Sequence, residues 1–187
     1  MADPYRILVV CTANICRSVM AERFLRRDGE ARGLDHVEIS SCGFRFDDQP
    51  ASEMVLAVLG ERELDASDHR SRKFSPEVLA NADLVVAMER SHVRDLAVAV
   101  EGASPRIHTL GAVVEWLRTE VPVAGSPADR VAAFAEGRRS ADVLGSGPDE
   151  IEDPHGRSKR VHRKSADRIE DLCSGLLDGL FGTTVRD

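Results

Sequence analysis

Cys11-Thr12-Ala13-Asn14-Ile15-Cys16-Arg17-Ser18 decides how the rest of the chain is read. It follows Arg6-Ile7-Leu8-Val9-Val10, a short apolar run rich in branched residues, the pattern of a parallel strand buried on both faces. Behind it comes Met20-Ala21-Glu22-Arg23-Phe24-Leu25-Arg26-Arg27, with helical spacing and good helix formers. The stretch is therefore expected to leave the C-terminal end of a strand (6–10) and enter the N-terminus of a helix (18–31). Backbone N–H groups at such a point lack intrahelical partners, and an anion is favoured there. A cysteine opens the loop and an arginine closes it. The helix dipole and the Arg17 guanidinium both favour thiolate over thiol at Cys11, and a guanidinium grips two oxygens of a tetrahedral oxyanion in a planar fork. A buried structural cysteine would need no such Cys-x5-Arg-Ser frame.

Outward from the loop, strands and helices alternate. Val37–Ser41 reads as a second strand and 51–60 as a helix with Gly60 at its end. Ser75-Pro76-Glu77 opens a short helix, with Ser as N-cap and Pro at the first helical position. Leu84–Met88 is a third strand, 91–98 a helix, and 105–110 a short fourth strand at the sheet edge. The expected fold is α/β: a doubly wound, four-stranded parallel sheet flanked by helices. A helix from Ser126 to about Arg139, then a Gly- and Ser-rich mobile loop over 140–150, precede a last helix, 158–180. Ile169, Leu172, Cys173, Leu176, Leu177 and Leu180 share one face of that helix, which makes Cys173 a core residue. Lys159, Arg160, Arg163 and Lys164 cluster near its start, as a solvated face or a docking patch.

The chain has 187 residues, enough for one sizeable core and too few for two comfortable domains, so 1–187 is expected to be a single domain. A net charge of −7 argues against a general nucleic-acid or anionic-membrane surface, and leaves any anionic substrate to a local positive site. Met1-Ala2-Asp3-Pro4 lacks the charged and apolar regions of a signal peptide, and no apolar run approaches membrane-spanning length. Four cysteines do not suggest a disulfide scaffold. A cytoplasmic protein with a reduced, reactive thiol is the expectation.

Val9-Val10-Cys11-Thr12-Ala13-Asn14-Ile15-Cys16-Arg17-Ser18 resembles the signature of the low-molecular-weight protein tyrosine phosphatases, with Ala13 where the family usually has Gly and Val19 where it often has Pro. Ser41-Cys42-Gly43 resembles the family's Ser-Ala-Gly step, His69-Arg70-Ser71-Arg72 its His-x-x-Arg segment, and Ala82–Met88 its third strand. Asp153-Pro154 resembles the acid-bearing pair before the last helix. The resemblance spans about 5–117 and 150–181; it thins over 118–150, an insertion that reads as a lid, a partner surface or a surface loop. It implies a cysteine-dependent phosphomonoesterase acting on phosphotyrosine in proteins through a phosphocysteine, with no cofactor and no metal. A cognate tyrosine kinase is then a partner, and neither nucleic acid nor membrane insertion is expected.

Under that reading Cys11 is the nucleophile, and Arg17 with the loop amides of Thr12, Ala13, Asn14, Ile15 and Cys16 holds the phosphoryl oxygens. Ser18 hydrogen-bonds the sulfur, and Asp153 is general acid, then base. Asn14 suits a left-handed position and by resemblance is a structural post, bonded with Ser41 and His69; His69 as a catalytic base is the lesser reading. Phe44 and Phe46 either wall a substrate pocket or pack their loop, and His155 stands where the family commonly has an aromatic beside the substrate ring. If the position of Ala13 needs positive φ, it costs roughly 1 kcal/mol. Once the loop curls round a phosphate, Cys11 and Cys16 come within disulfide reach, so redox-sensitive, reversible inactivation is expected; the resemblance implies the same, and the alternative is that Cys16 only packs against the sheet.

Three other functions compete. A protein arginine phosphatase of the same superfamily shares the Asp153-Pro154-His155-Gly156-Arg157-Ser158 pattern, though such enzymes typically carry Thr where this chain has Ile15. An arsenate reductase would need a relay pair of cysteines that 74–100 lacks. A catalytically weak phosphoprotein-binding module would not need Cys11, Arg17 and Asp153 together.

Overall fold

The computed structural model describes residues 3–119 and 125–182. Residues 1–2 and 120–124, the latter inside the expected insertion, lie outside it. Four parallel strands, β1 (Tyr5–Cys11), β2 (Val37–Gly43), β3 (Leu84–Ala87) and β4 (Ile107–Thr109), form one sheet in the order β2-β1-β3-β4. β1 is central, which explains its unbroken apolar run: Ile7 and Val9 enter one core layer, Leu8 and Val10 the other, and all are buried. The expected α/β sheet is the one observed.

Among the described residues seven α-helices flank it: α1 (Arg17–Arg32), α2 (Glu53–Gly60), α3 (Pro76–Ala80), α4 (Arg90–Ala99), α5 (Leu110–Thr119), α6 (Pro127–Gly137) and α7 (Lys159–Phe181). α7 buries the face anticipated from its spacing, including Cys173, whose thiol points to the Ala21 carbonyl of α1. Gly33, with φ 69°, ends α1 in the left-handed conformation that glycine tolerates. α6 begins with a full capping box between Ser126 and Asp129.

The sequence expectations fail in three places. Leu110–Thr119 is a helix, where the sequence pattern put Leu110 in the fourth strand and assigned nothing to 111–119. The fourth strand is only Ile107–Thr109, because Pro105 sits in a 3-10 turn, Ser104–Arg106, where it cannot extend a ladder. Residues 140–150 are not a free loop. They include a 3-10 turn at Ser140–Val143, and arginines reach their carbonyls from outside: Arg94 to Val143, Arg90 to Leu144 and Arg168 to Pro148. α6 is likewise tied to the sheet edge by Arg138, which donates to the Ile107 carbonyl (2.5 Å), the Ser104 carbonyl (3.0 Å) and His108 Nδ1 (2.9 Å).

Candidate active site

The 11–18 stretch leaves the C-terminal end of β1 and turns into α1 with its carbonyls facing outward. Thr12 O accepts from Phe44 N (2.8 Å) and Arg45 N (3.2 Å), Ile15 O from Ser52 N (2.9 Å), and Cys16 O from Met20 N (3.1 Å). His69 Nε2 donates to Asn14 O at 2.7 Å. In a planar trans peptide the N–H opposes the C=O, so these contacts turn the amides of Ala13, Ile15, Cys16 and Arg17 toward the inside of the loop. Asn14 N donates to Cys11 Sγ at 3.3 Å.

Asn14 holds this shape. Its φ is 53°, a left-handed value that Asn tolerates better than most residues. Its buried amide donates to Ser18 Oγ (2.9 Å) and Ser41 Oγ (2.8 Å), and its Oδ1 accepts from Arg72 N (2.8 Å). Ser41 passes its own proton to the buried Glu22 carboxylate, which Arg26 pairs at 2.7 Å. Ser18 Oγ, which accepts from Asn14, lies 3.0 Å from Cys11 Sγ, and its hydroxyl proton is free to point at a thiolate there. The expected post is thus a node joining the loop, β2 and the 69–72 segment. The concern over Ala13 falls away, since its φ is not positive. Glycine is needed instead at Gly43, where a Cβ would lie 2.7 Å from Asn14 N and 2.9 Å from the Ala13 carbonyl carbon.

Arg17 is buried, yet four groups meet its guanidinium. Nη1 bonds Glu89 Oε1 (2.5 Å) and Ile151 O (2.8 Å); Nη2 bonds Thr12 Oγ1 (3.3 Å) and forms an ion pair with Asp153 Oδ2 (3.2 Å). Nε is buried with no partner among the described residues. Burial pushes the Glu89 carboxyl up, but the bond and charge of Arg17 outweigh it and hold it below the usual range. The exposed Asp153 carboxylate also accepts from its own segment, at His155 N (3.2 Å). Arginine and aspartate therefore meet beside the loop that carries Cys11, from positions as far apart as 17 and 153.

Other anticipated residues divide. Phe44 is half-buried, stacked on His92 (5.5 Å between centroids) and tilted against Phe74 (5.8 Å), so it packs its loop. Phe46 and His155 are exposed. Cys16 is buried, and burial first, then the charges of Cys11 and Asp153, push its thiol up to about 12. Lys159 and Arg163, from the basic cluster, both pair with Glu61. Sequence reasoning missed Glu22, Glu89 and His92, whose Nε2 meets Thr12 Oγ1 at 3.0 Å. A signal existed for Glu89: it follows the C-terminal end of β3, the side on which open α/β sheets bind ligands. Among the described residues no group of three or more His, Cys, Asp or Glu is gathered for a metal ion, and no described helix is long and apolar enough to cross a membrane.

The family model for low molecular weight phosphotyrosine protein phosphatases matches residues 6–123, more than half of the chain. The chain belongs to the low-molecular-weight protein tyrosine phosphatase family. A relative from Streptomyces coelicolor, a low molecular weight protein-tyrosine-phosphatase, is 30% identical over 177 residues, 92% of either chain. A protein-arginine-phosphatase from Geobacillus stearothermophilus is 31% identical over 179 residues, 95% of this chain and 97% of its own. Among solved structures, a low molecular weight protein tyrosine phosphatase from T. tengcongensis superposes with a TM-score of 0.71 at 31% identity, covering 93% of this chain and 98% of its own. The chain is thus an enzyme of the low-molecular-weight phosphatase type, and its β1–α1 loop is where that family's signature lies.

Proposed function

We propose that the enzyme hydrolyses phosphotyrosine in proteins, with Cys11 as nucleophile, Arg17 and the loop amides as the phosphoryl cradle, and Asp153 as proton donor. The observation that supports this most is the meeting of Asp153 and Arg17 at 3.2 Å beside a loop whose amides turn inward around Cys11. Cys11 Sγ attacks phosphorus in line; the bond from phosphorus to the phenolic oxygen breaks, and Asp153 delivers its proton to that oxygen. The inward amides and the unpartnered Arg17 Nε take the charge of the equatorial oxygens. Water then attacks the phosphocysteine, giving its proton to Asp153, and sulfur leaves as a thiolate that Ser18 and Asn14 N stabilise. His69 supports the loop rather than the chemistry, since the Asn14 carbonyl commits its Nε2 to donating.

The 1–187 chain works on this reading as one phosphatase domain, with a tyrosine kinase as the partner that makes its substrate. Four free thiols, one of them the nucleophile, suit the reducing cytoplasm. A second reading, arginine phosphatase, is favoured by the near full-length likeness to the Geobacillus enzyme. Phosphate release from phosphotyrosine, phosphoserine and phosphoarginine peptides, measured side by side, separates the two. We expect phosphotyrosine to be fastest, and Cys11→Ser to abolish turnover while still binding vanadate. Faster release from phosphoarginine promotes the second reading; substantial turnover by Cys11→Ser ends both.

A further inference from the structure

Asp149 lies four residues before Asp153 and is held from three sides. Arg90 clasps its carboxylate side-on: Nη2 (2.5 Å) and Nε (2.9 Å) both reach Oδ1, and Nε also lies 3.2 Å from Oδ2. Thr109, at the end of β4, donates to Oδ2 at 2.7 Å. Gly111, in the first turn of α5, lies so close that a Cβ there would stand 2.3 Å from the Asp149 carbonyl oxygen. Burial pushes the Asp149 carboxyl up, but Arg90 and Thr109 outweigh it and hold it below the usual carboxylate range. The Arg90 backbone N–H also bonds Glu150 Oε1 at 2.9 Å.

Three consecutive residues after β3 thus do three related things. Met88 O accepts from Ile151 N (2.9 Å), Glu89 grips Arg17 (2.5 Å), and Arg90 grips Asp149 (2.5 Å). Ile151 O in turn accepts from Arg17 Nη1 at 2.8 Å. Ile151, through both its N–H and its carbonyl, and Glu150 Oε1 already tie the segment to β3's end and to Arg17. The ion pair at Asp149 adds a charged side-chain hold just upstream, on the approach to Asp153.

We propose that Arg90, Asp149 and Thr109 are positioning residues for the acid: a charged clasp that fixes the 149–153 segment so that the Asp153 carboxyl stays over Arg17 and the leaving oxygen. This rests on the reading of Asp153 as general acid. It also gives the 140–150 part of the insertion a role, since the segment is the rail along which the acid is held. A misplacement of about 1 Å can cost on the order of 10²-fold in rate, and the cost falls on the step that needs the proton.

The test is kcat/KM for a series of aryl phosphates, from an activated dinitrophenol to an unactivated phenol. Asp153→Ala examines the acid alone: it should lose far more on the poor leaving group, and equal losses would sink the acid reading itself. Given that steepening, Arg90→Ala is expected to lose about 10-fold or more on phenyl phosphate and less than about 3-fold on the dinitrophenyl ester. Vanadate affinity should hold within about 2-fold, and Arg90→Lys should recover part of the loss. In the Asp153→Ala background Arg90→Ala should add less than about 2-fold on any substrate. Should Arg90→Ala fail to fold, Thr109→Val removes one bond of the clasp and is expected to steepen the series by about 3-fold. Equal losses across the series from a folded variant, or a full additional loss in the Asp153→Ala background, would overturn the clasp while leaving the acid intact.

Discussion

The Cys11 loop and the Asp153 segment are held by opposite means. The loop is fixed from beneath by buried, mostly neutral hydrogen bonds that converge on Asn14, from Ser18, Ser41, His69 and Arg72. The Asp153 segment is fixed from the rim by ion pairs and arginine-to-carbonyl bonds, drawn from α4, β4 and α7. On the proposed mechanism the loop presents amides to a trianionic transition state and needs one rigid shape, which a satisfied buried network provides. The Asp153 carboxylate is itself exposed, and its segment is held by charged groups at the ends of long side chains.

Removing the node of the first region should have the largest effect. Asn14→Ala strands Ser18, Ser41 and the Arg72 amide and puts alanine at φ 53°. We expect a stability loss of about 2–4 kcal/mol in urea unfolding and turnover down on the order of 10²-fold on every leaving group alike. A leaving-group-dependent loss would erase the contrast between the two regions.

The second region should answer to pH. His108 donates through Nε2 to Pro105 O and accepts from Arg138 at Nδ1; burial first, then the Arg138 charge, lowers it from 6.5 to about 3. A base depressed in the folded state is protonated more readily when unfolded, so its contribution is whole above about 6.5 and fades as pH falls toward 3. Melting temperatures should decline through that window, with a slope from this group of at most about 1.4 kcal/mol per pH unit. His108→Asn should flatten the decline; an unchanged profile would remove the Arg138 tie from the comparison.

The smallest effect on turnover is expected within the loop itself. Cys16→Ser should keep activity within about 3-fold, because a thiol pushed up to about 12 stays neutral beside the nucleophile. Peroxide should inactivate the parent reversibly, by a Cys11–Cys16 disulfide, and the variant irreversibly, as sulfenic acid proceeds to sulfinic acid. Phosphate should slow both. Full recovery of the variant by thiol reductant would deny Cys16 that guarding part.

The two regions also differed in how far the sequence revealed them. Ser18 and the left-handed bend at Asn14 were legible because loop chemistry is local, a strand end and a helix start four residues apart, while the Asn14–Ser41 bond was reached only through the family resemblance. Glu22 was hidden, although it stands one turn beyond Ser18 on α1. The clasp was beyond reach, since Arg90 and Asp149 are 59 residues apart and each has the look of a surface charge. α5 escaped for a related reason: its start, Leu110-Gly111, continues the apolar run of β4, and the glycine is kept for the close approach of Asp149, a tertiary demand that overrides helix propensity.

Counted as protons, the path from Glu22 through Ser41, Asn14 and Ser18 to Cys11 admits a single arrangement once the sulfur is a thiolate and Glu22 a carboxylate. Both ends then only accept, the amide of Asn14 supplies the two inner protons, and each serine hydroxyl sends its own outward. Ice permits many such patterns; this path permits one, so it carries no orientational entropy for the reaction to remove. When negative charge leaves the sulfur and returns to it within a turnover, no dipole along the path has to turn. The cost of ordering them was met once, when the chain folded.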